Sequence, residues 1–337
     1  MTDDAVLTGV ATGIGSLPGD DIDAAVALVF ESLPDLPHLP ELPARGLGAD
    51  LVGRTAAALT DLHVDAQPAG WRLVPRPGGD EHRAAALLER DLDALVPVAP
   101  GYDGTFKVQL CGPWTLAASL ELPRGGRVLG DAGATRDVAD SLAETVREQL
   151  AATRRRLPGA RLVLQLDEPS LPAVLAGAVP TASGLGRIGA VDPALARSAL
   201  ASVLDAADVP VVVHCCATDV PVALLHAAGA AAVSFDLTSA QLDLDALGER
   251  IDQGLRLWLG VVPALGPGVA PAVRELVQPV RALWRGLGFA PDLLPERIAV
   301  TPTCGLAGAS AGWARTALTL AVRVARALVE APEGVSA

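Results

Sequence analysis

The stretch ATGIGSLPG, residues 11–19, decides between two parallel architectures. It closes an apolar run, residues 10–14, that reads as a first β-strand. In an open doubly wound sheet the turn after the first strand carries a G-x-G-x-x-G loop, whose glycines let a pyrophosphate approach the backbone. Gly13, Gly15 and Gly19 miss that spacing, so a dinucleotide site is unsupported. The other parallel solution is a closed (β/α)8 TIM barrel, and the rest of the chain fits it. Further strand-like runs at 38–42, 106–111, 162–166, 211–214, 232–235, 255–260 and 298–301 alternate with helical patterns, the mark of successive βα units.

The helical segments keep one apolar face. Leu88, Leu92 and Leu95 share a side of the segment 80–96, and Trp313, Ala317, Leu320, Val324 and Leu328 form a stripe near the C-terminal end. The stretch GWRLVPRP, residues 70–77, reads as an extra strand or hairpin, and the proline-dense LPDLPHLPELP, residues 33–43, as a kinked, edge-like strand. No linker or short repeat interrupts the pattern, so residues 1–337 are expected to form a single barrel.

Composition narrows the function. Of the 337 residues, 50% are apolar and 19% charged, enough for a large core. No uncharged apolar run approaches the roughly 18 residues of a membrane span. The start, MTDDAVLTGV, is acidic where a secretory signal is basic, which predicts a cytoplasmic protein. A formal charge of −13 disfavours nucleic acid and anionic membrane as partners. The basic run Arg154–Arg155–Arg156 ends a helical stretch, where cations complement the helix dipole. Lys107 is the only lysine beside 25 arginines and reads as a bias of composition.

Chemically pointed residues gather where strands end, and in a barrel those ends form the active-site face. Ser16 follows the first strand, Asp167 and Glu168 the fourth, His214 and Cys216 the fifth, Asp236 the sixth and Cys304 the eighth. Alternation puts His214 and Cys216 on one face and Cys215 on the other, as a small buried hydrophobe. An H-x-C pair alone equally suits a buried strand end. Cys304, in the loop TPTCGLAG at residues 301–308, adds a thiol where no core residue is required. One imidazole and two thiols at one mouth suit zinc, whose catalytic sites use three protein ligands and keep a position open. Asp236 is placed to serve as a fourth, displaceable ligand. Such a donor set favours alkylation of a thiol over hydrolysis.

Six segments in order, IGSLP (14–18), GPWTLA (112–117), QLDEPSL (165–171), HCC (214–216), SFD (234–236) and TPTCGL (301–306), resemble the catalytic barrel of cobalamin-independent methionine synthase over nearly the whole chain. The resemblance implies zinc held by His214, Cys216 and Cys304, with Asp236 standing where the family has a glutamate ligand. It implies that Asp167, with Glu168 beside it, receives the amino group of homocysteine, and that Gly15 and Ser16 receive its carboxylate. An alternative for Asp167 and Glu168 is a helix cap. Glu41 is the candidate for a second substrate carboxylate. The family's aspartate and histidine after the seventh strand have no counterpart, since Pro263 and Leu265 stand near those positions in GVVPALGPG, residues 260–268. The implied partners are a homocysteine-like thiol and a methyl donor, either a folate or a corrinoid, the latter free or carried on a protein. Two other functions fit the same barrel: a lyase of the uroporphyrinogen decarboxylase kind, and a zinc- and thiol-binding module without catalysis.

Overall fold

The computed structural model describes residues 7–333, so the acidic start, residues 1–6, lies outside the described residues. Six strands, β3 (Thr105–Cys111), β4 (Arg161–Asp167), β5 (Val211–His214), β6 (Ala232–Asp236), β7 (Arg256–Val262) and β8 (Ile298–Pro302), form one parallel sheet in sequence order. Helices separate them, so this is an α/β fold built from successive βα units. The strands read as continuous apolar runs because both of their faces are covered, which is what a parallel sheet demands.

The first two expected strands differ from the other six. Residues 10–14 and 38–42 join no ladder; they touch the sheet through single parallel bridges, Ala11 to Val300 of β8 and His38 to Lys107 of β3, and meet each other at Ser16 and Glu41. The physical reason lies in their residues. Pro37 and Pro40 donate no ladder hydrogen bond. Gly13 leaves room for an inward side chain: a Cβ there would sit 2.3 Å from His38 Nε2. These segments are shaped around buried polar groups rather than around a strand ladder.

The extra hairpin is present as β1 (His63–Gln67) paired antiparallel with β2 (Gly70–Val74). Leu88 and Leu92 are buried on the helix Gly79–Asp93, and Ala317, Leu320, Val324 and Leu328 on the last described helix, Ala311–Glu330. The arginine run closes the helix Ala132–Arg156, where Arg154 pairs with Asp208 and Arg156 with Glu89 and Asp93. No described helix is long and apolar enough to cross a membrane.

One face of the sheet is layered. Val163, Val212, Ala232, Trp258 and Ala299 pack together as an apolar floor. Two residues further along the strands, on the same face by alternation, stand Gln165, His214, Ser234, Gly260 and Thr301. Polar groups thus replace apolar ones towards the C-terminal ends of the strands.

Candidate active site

The register sets the site. Cys111 pairs with Asp167, Asp167 with His214, and His214 with Ser234, so β3, β4 and β5 stop at one level beside Ser234 of β6. His214 is buried, and its Nδ1 lies 2.9 Å from Ser234 Oγ. Its Nε2 is buried without any hydrogen-bond partner. A buried imidazole nitrogen left empty is costly unless something else occupies it.

Two thiols stand beside that nitrogen. The chain turns just past β5, where the Cys215 amide donates to the Ser234 carbonyl at 2.9 Å. This sends Cys215 into the core, fully buried, and leaves Cys216 half-buried. Cys304 comes from the loop after β8, which is pinned on both sides: the Thr303 amide donates to the Val262 carbonyl and the Leu306 amide to the Ser16 carbonyl, each at 2.8 Å. The ligand atoms of His214, Cys216 and Cys304 all lie within 4.8 Å of one another. The two thiols act on one another: with Cys216 and His214 beside it the Cys304 thiol is pushed down, while Cys304 pushes Cys216 up. The pair thus favours one thiolate, the form that binds a metal.

Asp236 does not join this group. Its Oδ1 accepts from the Thr238 amide at 2.8 Å and the Thr238 hydroxyl at 2.6 Å, and its Oδ2 from Ser239 at 2.9 Å. The carboxylate folds back onto its own turn, so the expected fourth ligand is engaged elsewhere. Glu168 also departs from expectation. It is fully buried and accepts from the Trp114 and Thr115 amides and the Thr115 hydroxyl, at 2.7–2.8 Å, which caps the helix Pro113–Ser119. Gly112 makes room for it, since a Cβ there would lie 2.4 Å from Glu168 Oε1. Glu168 is spent on structure, and the helix-cap alternative holds for it.

Asp167, by contrast, faces a cleft of about 310 Å³ together with Gly15, Ser16, Glu41, His214, Cys216 and Cys304. Burial raises its carboxyl above the ordinary value, opposed by His214 and Lys107. Burial pushes Glu41 to about 7, again against a nearby cation, Arg54. No arginine lines the cleft. Arg45 and Arg54, on the bordering segment, both pair with the buried Asp91. A pocket with several carboxylates and no arginine suits an ammonium group and is unsuited to a porphyrinogen with four carboxylates.

Three groups in this layer escape sequence reasoning. Ser234 holds the histidine, and Gln165 and Lys107 hold Asp167 from below. Lys107 is wholly buried, with Nζ donating to the Ile14 carbonyl at 2.7 Å and to Gln165 Oε1 at 2.6 Å. The signal was present: a charged residue in the middle of an apolar strand, TFKVQLC, is costly unless it is paired.

Residues 10–327 match the family described as the cobalamin-independent synthase catalytic domain. The chain belongs to that family. It is accordingly a methyltransferase of the methionine synthase kind, a family whose acceptor is homocysteine. Among solved structures, a B12-independent methionine synthase from Shewanella sp. W3-18-1, in complex with selenomethionine, superposes with a TM-score of 0.64 at 12% identity, covering 96% of this chain and 98% of that one. At that identity the likeness speaks to the fold, and it supports the α/β architecture. A mandelate oxidase variant aligns over 85% of this chain and 86% of its own at 18% identity, with a TM-score of 0.31, too low to carry an argument. No curated protein matches the chain.

Proposed function

We propose that this member of the cobalamin-independent synthase family is a zinc-dependent methyltransferase that methylates homocysteine or a closely similar thiol. The supporting observation is the group His214, Cys216 and Cys304, whose ligand atoms lie within 4.8 Å of one another around a buried Nε2 that has no other partner. These three residues would hold the metal, with Ser234 fixing the imidazole so that Nε2 presents its lone pair. Zinc, when bound, supplies the Lewis acidity by which a thiol loses its proton at neutral pH. Two cysteines in the set leave it electron-rich, which suits attack by sulfur.

The chain's own residues supply binding and orientation. Asp167 receives the ammonium group of the substrate, and Ser16 with Gly15 receives its carboxylate. Glu41 faces the same cleft and adds a second negative group. The substrate sulfur then forms the S–CH3 bond as the donor's bond to methyl breaks and that electron pair leaves with the donor. We place this site in a single (β/α)8 barrel, residues 10–14 and 38–42 closing the ring through their bridges to β8 and β3.

The donor side is bare. From Pro263 to Ala272, after β7, no residue is ionisable. The loop is instead pinned by Trp313, whose Nε1 donates to the Pro263 carbonyl at 3.0 Å. A folate nitrogen must be protonated to leave, and a positioned acid is worth roughly 10²–10⁴-fold. This favours a methyl-corrinoid co-substrate, whose leaving group departs without a proton, over methyltetrahydrofolate. The test is methionine formation by zinc-loaded protein from homocysteine with each donor in turn. Methylcobalamin is expected to be the better donor; no methionine from either donor, with zinc bound, overturns the function.

A further inference from the structure

Lys107, the one lysine of the chain, lies fully buried in the middle of β3, beneath the cleft. Burying an ammonium costs several kcal/mol unless its hydrogen bonds and charge are both answered. Here they are answered in part: burial pulls the Lys107 ammonium down to about 7, while Asp167 and Glu41 favour its charge and Nζ donates to the Ile14 carbonyl and to Gln165 Oε1.

The direction of the next bond follows from chemistry. An ammonium has only donors, so the Gln165 amide must turn its oxygen towards Lys107 and its nitrogen away. That nitrogen donates to Asp167 Oδ1 at 2.7 Å and to the Ile14 carbonyl at 2.9 Å. Without Lys107 the two acceptors still hold the amide nitrogen, but Oε1 is left without a partner and Gln165 is no longer anchored from below, so the Asp167 carboxylate loses a fixed support. The Ile14 carbonyl would also lose its Lys107 bond, although Gly15 keeps the Glu41 amide on its own carbonyl at 3.1 Å, which anchors the adjoining loop.

We propose that Lys107 is a positioning residue for substrate selection: through Gln165 it aims Asp167 at the substrate's amino group, so that the enzyme prefers amino-acid thiols to thiols lacking that group. The inference rests on the function proposed above. Lys107 touches no substrate and holds no metal. Its effect is therefore expected on recognition of the amino group and not on the thiol.

Calorimetric titration of zinc-loaded protein with homocysteine and with 4-mercaptobutanoate separates the two proposals. The second ligand keeps the thiol and carboxylate and lacks only the amine, so proton release from sulfur is common to both. Wild type is expected to bind homocysteine more tightly. Lys107→Met should weaken homocysteine at least tenfold and change 4-mercaptobutanoate less than twofold, with zinc content unchanged. Gln165→Leu should give the same selective loss and decides the matter if Lys107→Met does not fold. Equal weakening of both ligands, or no weakening, in a folded variant overturns the role of Lys107 alone. Wild type that binds zinc but neither thiol overturns the functional assignment and this inference with it.

Discussion

The two sides of the cleft mouth are built to different standards. On the side of β4, β5 and the loop after β8, the side chains that face the cleft have others beside them: Ser234 behind His214, Gln165 and Lys107 behind Asp167, Cys216 near Cys304. On the side of β6 and β7, Asp236 is turned onto its own Thr238 and Ser239, and the loop beyond β7 offers no titratable group at all. Supported side chains are pre-organised and do not have to be ordered when a ligand arrives. Under the proposed function, the built side takes the thiol and the bare side is left for a donor that brings its own chemistry.

The strongest way to break this contrast is to remove a sulfur. Zinc sites hold their metal with an apparent ~10–16 kcal/mol shared over their ligands, so Cys304→Ser should weaken zinc by about 10²–10³-fold in a competition titration with a chromogenic chelator. Unchanged zinc affinity would dissolve the built side altogether. A smaller effect is expected one bond further back. Ser234→Ala frees the imidazole that Ser234 orients, and loss of such outer partners typically costs about 10–100-fold in metal affinity.

Acidity sharpens the comparison next. Glu41, held near 7 by burial, is largely neutral below that pH and ionised above it. Binding of methionine, which has no thiol to titrate, should therefore tighten as pH rises through about 7. Glu41→Gln should remove that tightening; a profile unchanged by the substitution would show that Glu41 does not meet the ligand. The smallest effect belongs to the bare side. Asp236→Asn should leave zinc affinity within about twofold, because the carboxylate already has three local donors. A loss comparable with that of Cys304→Ser would make Asp236 a ligand and erase the asymmetry.

Much of this could be read before any coordinates. The six ladder strands are continuous apolar runs, and runs buried on both faces are the plainest signal a parallel sheet sends. His214, Cys216 and Cys304 stand out in the sequence because strand alternation and strand-end position are local properties, and the structure brings their ligand atoms within 4.8 Å of one another. What stayed hidden depends on distant partners. Residues 10–14 and 38–42 look like strands until the prolines meet the need to go around buried His38 and Lys107. Glu168 and Asp167 are neighbours in sequence with opposite fates, since alternation sends one into a helix cap and the other into the cleft. Lys107 reads in the sequence as a quirk of composition because its partners lie 58 and 93 residues away.

Gly305 has a wider consequence. A Cβ at this position would fall 2.1 Å from Ser16 Oγ, and the next amide, Leu306, is bonded to the Ser16 carbonyl. The loop bearing Cys304 is thus stitched to an early segment that contributes only isolated bridges to the sheet. Capturing an ion there, as the proposed function requires, would latch this segment to the loop after β8, so that metal loading and docking of the segment reinforce each other, and amide exchange around Ser16 should slow when the ion is in place.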